Sequence, residues 1–263
     1  MYITTNQNLS GFGQVPAPVR IPCPPPTCTP VGPFLPTRHG FNFVNSFTTT
    51  IPLPPPFPAI SPSYGLCGGM AAAVLDYFLS CIPIPSTATV PLTGTTLFNY
   101  LFRRLLDSLG SPGFGMVPKF MSWTNRPDIT MPASLLTGGL IPGPNLLTID
   151  GVQELTLPEF YATIAGLSAR PVPLGLVYVG PGAVNIWENH QVLAYGTTRV
   201  SPTVTDIKVY EPNYPRADDA AIRCEVLGTR VRCVERVPSR GVTKRVRGFF
   251  RMPYTRAIPP CLP

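Results

Sequence analysis

The sequence predicts an α+β fold in which helices contributed by the earlier part of the chain pack as a layer on a later antiparallel sheet. Three observations carry that expectation. Apolar residues recur at helical spacing in two stretches before residue 110. Beyond Pro171 the pattern changes to short strand-like runs separated by turn signals. The two kinds of element are segregated along the chain, as an α+β domain requires, rather than alternating as in a parallel α/β sheet. With 263 residues the chain can bury a substantial core as one large domain, or as one domain plus an arm.

Residues 16–62 contain fifteen prolines, clustered at 24–26 and 54–56, so this stretch is extended rather than helical. It also carries Phe41, Phe43, Phe47 and Phe57, too apolar a set for a disordered linker. Residues 1–62 are therefore read as a proline-rich extended arm, wrapped on the domain 63–263 or docked on a neighbouring copy. The first helix is expected over 69–81, broken before Pro83. A second is expected over 95–109, where Leu97, Tyr100, Leu101, Leu105 and Leu109 share a face and Gly110 stops the run. Residues 111–150, rich in Gly, Pro and Thr, read as an irregular excursion. A shorter helix is expected over 157–167, with Pro158 in its first turn. Strands are expected at 173–179, 189–197, 204–211, 221–227, 230–237 and 245–251.

The pair 221–227 and 230–237 flanks Gly228-Thr229, a two-residue hairpin turn with Gly at its first position. That register sets Cys224 opposite Cys233 at a non-hydrogen-bonded site, close enough for a disulfide. Val226 and Val231 share the face, so two buried reduced thiols are the other reading. The chain has seven cysteines, an odd number. Cys23 and Cys28 flank Pro24-Pro25-Pro26 and either close a small loop or bind nothing. No spacing suggests a zinc site, and no motif calls for a cofactor.

Charged residues make up only 13% of the chain, against about 25% in ordinary domains. Asp76 and repeated Pro and Gly interrupt every long apolar run, so no membrane span is expected. Residues 1–10 lack the basic segment and apolar core of a secretory leader, and none is expected. Residues 223–256 hold ten of the twenty Lys and Arg and two of the thirteen acids, which gives this segment +8 of the net +7 and leaves −1 elsewhere. The favoured reading is the solvated face of amphipathic strands; the sharper one is a footprint for an anionic partner. No nucleic-acid-binding motif accompanies it.

The chemistry-bearing residues centre on Cys67, in Tyr64-Gly65-Leu66-Cys67-Gly68-Gly69-Met70 at the start of the first helix. A helix N-terminus favours a thiolate, the nucleophilic form of cysteine. Glycines after it leave room for a carbonyl to approach the sulfur. His190 follows 123 positions later in a strand-like run, and Glu211 stands 21 beyond that, at the end of 204–211. Pro212 biases Glu211 toward extended backbone, which suits a carboxylate pointing along the sheet at an imidazole. A thiol, a base and a group that orients the base are the parts of a nucleophilic triad. Asn213 is the alternative orienter. The other histidine, His39, lies in a Pro/Gly-rich loop and is the poorer base.

The Cys67 motif, the His190 run and the stretch from Tyr210 to Pro215 together resemble the papain-like cysteine peptidase superfamily, nearest to its peptidase C39-like branch. The resemblance covers about half the chain by organisation. It implies a papain-like fold, with Cys67 as nucleophile, His190 as general base and acid, and Glu211 in the place of the branch's aspartate. The oxyanion-hole glutamine of papain-type enzymes is missing, since Ser61 stands six residues before Cys67. Asn45 is the substitute amide donor, beside the Cys67 backbone N–H. The expected function is that of a thiol hydrolase acting on peptide or amide substrates, or an acyltransferase on the same scaffold. The competing expectation is a catalytically degenerate subunit of an assembly, joined to other copies through the proline-rich arm.

Overall fold

The computed structural model describes residues 28–47, 65–133, 148–183 and 188–262. A short turn of helix, α1 (Pro36–His39), precedes the two main helices of one layer, α2 (Cys67–Leu79) and α3 (Thr96–Ser108). The Ala-rich centre of α2 favours helix, and its apolar character on every side leaves residues 67 to 77 buried. α2 begins two residues earlier than its apolar pattern suggests, taking Gly68 and Gly69 into the first turn. Packing demands it: a Cβ on Gly69 would overlap the Leu101 carbonyl, so only glycine lets α2 and α3 approach this closely. At the start of α3, the Thr95 hydroxyl accepts from the Phe98 N–H at 3.3 Å, a side-chain N-cap.

Asp76 is fully buried inside this layer. It pairs with Arg104 Nε at 2.6 Å and accepts from Tyr100 Oη at 2.8 Å, Tyr254 Oη at 2.7 Å and the Ala257 N–H at 2.9 Å. One carboxylate thus ties α2, α3 and the C-terminal segment together. Among the described residues no helix is long and apolar enough to cross a membrane.

The stretch expected to be irregular contains α4 (Met116–Thr124), followed by the short strands β1 (Met131–Pro132) and β2 (Thr148–Ile149), which pair with each other. Pro118 masks α4 in the sequence, yet it falls in the first turn, where a missing N–H breaks no intrahelical bond. The next helix, α5 (Val152–Leu167), starts five residues before its expected beginning and carries Pro158 in its interior. Val152 and Thr156 are fully buried, and the Thr156 hydroxyl donates to the Val152 carbonyl at 2.7 Å, so the extra turn is anchored by tertiary packing.

The sheet comprises β3 (Val172–Val177), β4 (His190–Arg199), β5 (Val204–Tyr210), β6 (Ala221–Leu227), β7 (Arg230–Val237), β8 (Val242–Val246) and β9 (Gly248–Arg251). All pairings are antiparallel, in the order β8-β7-β6-β5-β4-β3-β9. The single strand expected over 245–251 is in fact two. β8 and β9 are separated only by Arg247 but lie on opposite edges of the sheet, which therefore curls round on itself. α5 packs inside the curl against β3, β4, β7 and β9, over a core that includes Phe160, Leu174, Val192, Ile222 and Phe249. The α2–α3 layer packs on β4 from the other side.

Phe34, Phe41, Phe43 and Phe47 are all buried, against α2 and α3, so residues 28–47 pack on their own domain. Phe57 lies outside the described residues. Cys28 is bonded to Cys81, just past α2, which corrects both readings of it: it neither closes a loop with Cys23 nor stands unbonded. Cys261 is also disulfide-bonded. Cys224 and Cys233 are register partners across the β6–β7 hairpin. Their sulfurs lie 3.8 Å apart and unbonded, so of the two readings the structure has the pair of buried thiols. Much of the basic segment is neutralised within the domain: Arg223 pairs with Asp206, Arg232 with Glu225, Arg245 and Arg247 with Asp128, and Arg251 with Glu159.

Candidate active site

The topology brings the candidate residues to one end of the sheet. β3 runs toward that end and β4 away from it; β5 and β7 run toward it again. The residue after β3 (Tyr178), the first residue of β4 (His190), the residue after β5 (Glu211) and Glu235, two residues before the end of β7, are therefore neighbours, although they span 57 positions. Cys67, the first residue of α2, meets them from the helical layer.

His190 is buried, at 7% exposure. Its Nε2 lies 2.7 and 2.9 Å from the two carboxylate oxygens of Glu211, which is 1% exposed. With Nε2 occupied by Glu211, Nδ1 is the nitrogen left to face Cys67, the other group that raises the proton affinity of the ring. Burial alone would depress the proton affinity of the imidazole. The charges of Glu211 and Cys67, together with hydrogen bonds to both, overcome it and hold His190 well above its ordinary value. Conversely, the cationic ring and the hydrogen bonds around Glu211 hold that carboxyl below its ordinary value in spite of burial.

Glu211 takes the position behind the ring, and Asn213 braces it. The Asn213 backbone N–H donates to Glu211 Oε1 at 2.8 Å, while its side-chain nitrogen stands 3.5 Å from His190 Nε2. Asn45, the expected oxyanion donor, reaches the same place. Its Oδ1 accepts from the Leu66 N–H at 2.6 Å, its Nδ2 donates to Asn213 Oδ1 at 3.2 Å, and its backbone N–H donates to the Pro212 carbonyl at 3.0 Å. The carboxamide thus clamps the turn before Cys67 to the loop after Glu211. Gly65 makes the clamp feasible: its φ is +63°, and a Cβ there would collide with the Asn45 side chain.

The first turn of α2 leaves backbone N–H groups without intrahelical acceptors beside Cys67. The buried carboxamide of Gln191 fills the space where a Cβ on Gly68 would stand, so the turn is packed from the sheet side as well. His39, the discarded base, accepts the Leu35 N–H at Nδ1 from 2.9 Å and lies in the arm. Among the described residues no cluster of His, Cys, Asp or Glu is arranged to hold a metal ion.

Three site residues escaped sequence reasoning: Tyr178, Gln191 and Glu235. Glu235 was accessible in principle. Counting by twos from Cys233 places it on the buried face of β7, where an acid is out of pattern. Tyr178 is held by Asn189, whose Oδ1 accepts the Tyr178 and Val179 N–H groups at 2.9 and 3.3 Å. Nothing local to the sequence announces that contact. Compared with protein-family models, with curated proteins and with solved structures, the chain gives no match.

Proposed function

We propose that the chain is a papain-like thiol acyl-transfer enzyme, nearest to the peptidase C39-like branch, that hydrolyses a peptide or amide bond. The observation that carries this reading is a buried imidazole held by both oxygens of a buried carboxylate, with Cys67 as its other charged neighbour. Glu211 stabilises the imidazolium and fixes the ring, so that Nδ1 faces sulfur. In the acylation step, the Cys67 proton resides on His190 and the sulfur bonds to the substrate carbonyl carbon. The carbonyl π electrons move to oxygen, which the backbone N–H groups at the start of α2 stabilise. As the tetrahedral species collapses, the C–N bond breaks and the nitrogen takes the proton from His190. Water, deprotonated by His190, then attacks the thioester and releases acid and thiol. An amine in place of that water gives the transferase version of the same site.

A second reading is favoured by the burial of Cys67, at 8% exposure: a subunit that keeps the constellation without turnover. Alkylation separates them. Iodoacetamide at about pH 6, with the adduct located by mass spectrometry, is expected to label Cys67 rapidly and to leave Cys224 and Cys233 unmodified. His190→Ala is expected to slow the Cys67 reaction by roughly 100-fold or more. Labelling of Cys67 no faster than the two hairpin thiols, or unaffected by His190→Ala, would sink the enzyme reading.

A further inference from the structure

Behind Glu211 lies a second acid. Glu235 is 3% exposed, on the inner face of β7 between Ile222 of β6 and Lys244 of β8. Its Oε2 accepts from Tyr178 Oη at 2.6 Å, and its carboxyl hydrogen-bonds that of Glu211. Two carboxyl groups in such contact ionise one after the other, so below the second ionisation one proton lies between them. Its location follows from the other partners. Glu211 already accepts from His190 and from the Asn213 N–H, which favours its anionic form. Glu235 accepts from the Tyr178 hydroxyl at Oε2 and from neither a cation nor a backbone N–H in the same network, which favours the proton on Glu235. Tyr178 itself is fixed from three sides: Asn189 holds its backbone, its ring stacks at 6.3 Å on His190, and Lys244 Nζ stands 3.4 Å above the ring.

Resting on the triad reading above, we propose that Glu235 is a positioning residue: it carries the proton shared by the two carboxyls, donates it to Glu211, and thereby keeps Glu211 singly charged and aimed at His190. The ionisable groups around Glu235 are Tyr178 after β3, His190 on β4, Glu211 and Tyr214 beyond β5, Lys244 on β8, and Cys67 beyond the ring. In agreement, burial and the Glu211 charge push Glu235 up to about 7, against an ordinary 4.5. Above that pH the donor is lost and two anions face each other.

Two measurements test this. In the full chain carrying Cys67→Ala and ¹³C-carboxyl glutamate, one side-chain carboxyl should titrate near pH 7, and Glu235→Gln should abolish that transition. In the chain with Cys67 present, the pH profile of Cys67 alkylation should bend near pH 7, and Glu235→Gln, which keeps a donor toward Glu211, should remove the bend while recovering most of the rate. Glu235→Ala, lacking the donor, should lower that rate by about tenfold or more. If every glutamate titrates below about pH 5.5, or the transition survives Glu235→Gln, the shared proton is refuted whatever Cys67 does. If alkylation profiles of Glu235→Gln and Glu235→Ala both superimpose on the parent, the positioning role is refuted. Loss of His190 dependence at Cys67 with the carboxyl transition intact overturns the triad reading instead.

Discussion

At the scale of the residue, the His190–Glu211 pair sets both the proposed chemistry and part of the stability. Glu211 is lowered from 4.5 on folding, so its contribution is present above that value and is lost as pH falls through the folded value. His190 is raised from 6.5, so its contribution is complete below that value and is lost as pH rises through the folded one. The pair therefore stabilises most in the window between, from about pH 4.5 to 6.5 and on toward the raised value of His190. Glu211→Gln should destabilise the protein by on the order of 3 kcal/mol near pH 6, because it leaves a buried ring without its counter-charge. Urea unfolding across pH should show the gap between variant and parent closing in acid. A gap that stays constant with pH would mean that Glu211 acts through packing alone.

At the scale of the element, Arg247 decides the shape of the sheet. The sequence from Arg245 to Arg251 reads as one strand, but the chain turns at Arg247, and β8 and β9 on either side of it join opposite edges. The Arg247 guanidinium donates to the carbonyls of Thr124 at 3.0 Å and Val179 at 2.6 Å, to that of Arg126, and to the Asp128 carboxylate. A planar fork of donors can satisfy these acceptors at once, and an ammonium cannot. Arg247→Lys should therefore destabilise by about 2–4 kcal/mol, measured from the urea midpoint. Because Val179 adjoins Tyr178, the same substitution should also loosen the wall of the site, seen as faster amide hydrogen exchange at 178–179. Unchanged stability would show that the corner is held by the strands alone. Pro118 and Pro158 teach a related lesson. Pro118 falls in a stretch that reads as irregular and Pro158 reads as a helix start, yet one sits harmlessly in a first turn and the other inside a helix whose first turns bury Val152 and Thr156.

At the scale of the whole molecule, the helical layer, the curled sheet and the segment 28–47 are joined by long-range ties as well as by their shared core. The Cys28–Cys81 bond spans 53 positions, and Thr37 of α1 donates from its N–H to Asp218 Oδ1 at 2.9 Å. Closing a loop of that length in the unfolded chain corresponds to about 4 kcal/mol in the entropic account. Cys28→Ser with Cys81→Ser should lower the calorimetric Tm by roughly 8–16 °C for a chain of this size. A change below about 2 °C would mean that the buried phenylalanines of 28–47 hold the segment unaided.

What the sequence determined by itself was local. Helical spacing located α2 and α3, short strand-like runs between turn signals located β3 to β7, and Gly228-Thr229 set the register that faces Cys224 with Cys233. It also singled out Cys67, His190 and Glu211, because a helix start, a strand start and a strand end each leave a mark within a few residues. These signals exist because period and turn chemistry act over short stretches of backbone. The tertiary structure decided everything that depends on which distant segments share space. It split one apparent strand at Arg247, paired Cys28 with Cys81, turned Asn45 into a clamp and set Glu235 behind Glu211. Such contacts follow from how the sheet curls around α5 and how closely α2 can approach α3. Those are properties of a packed core in which each side chain's position depends on all the others, and no single segment encodes them.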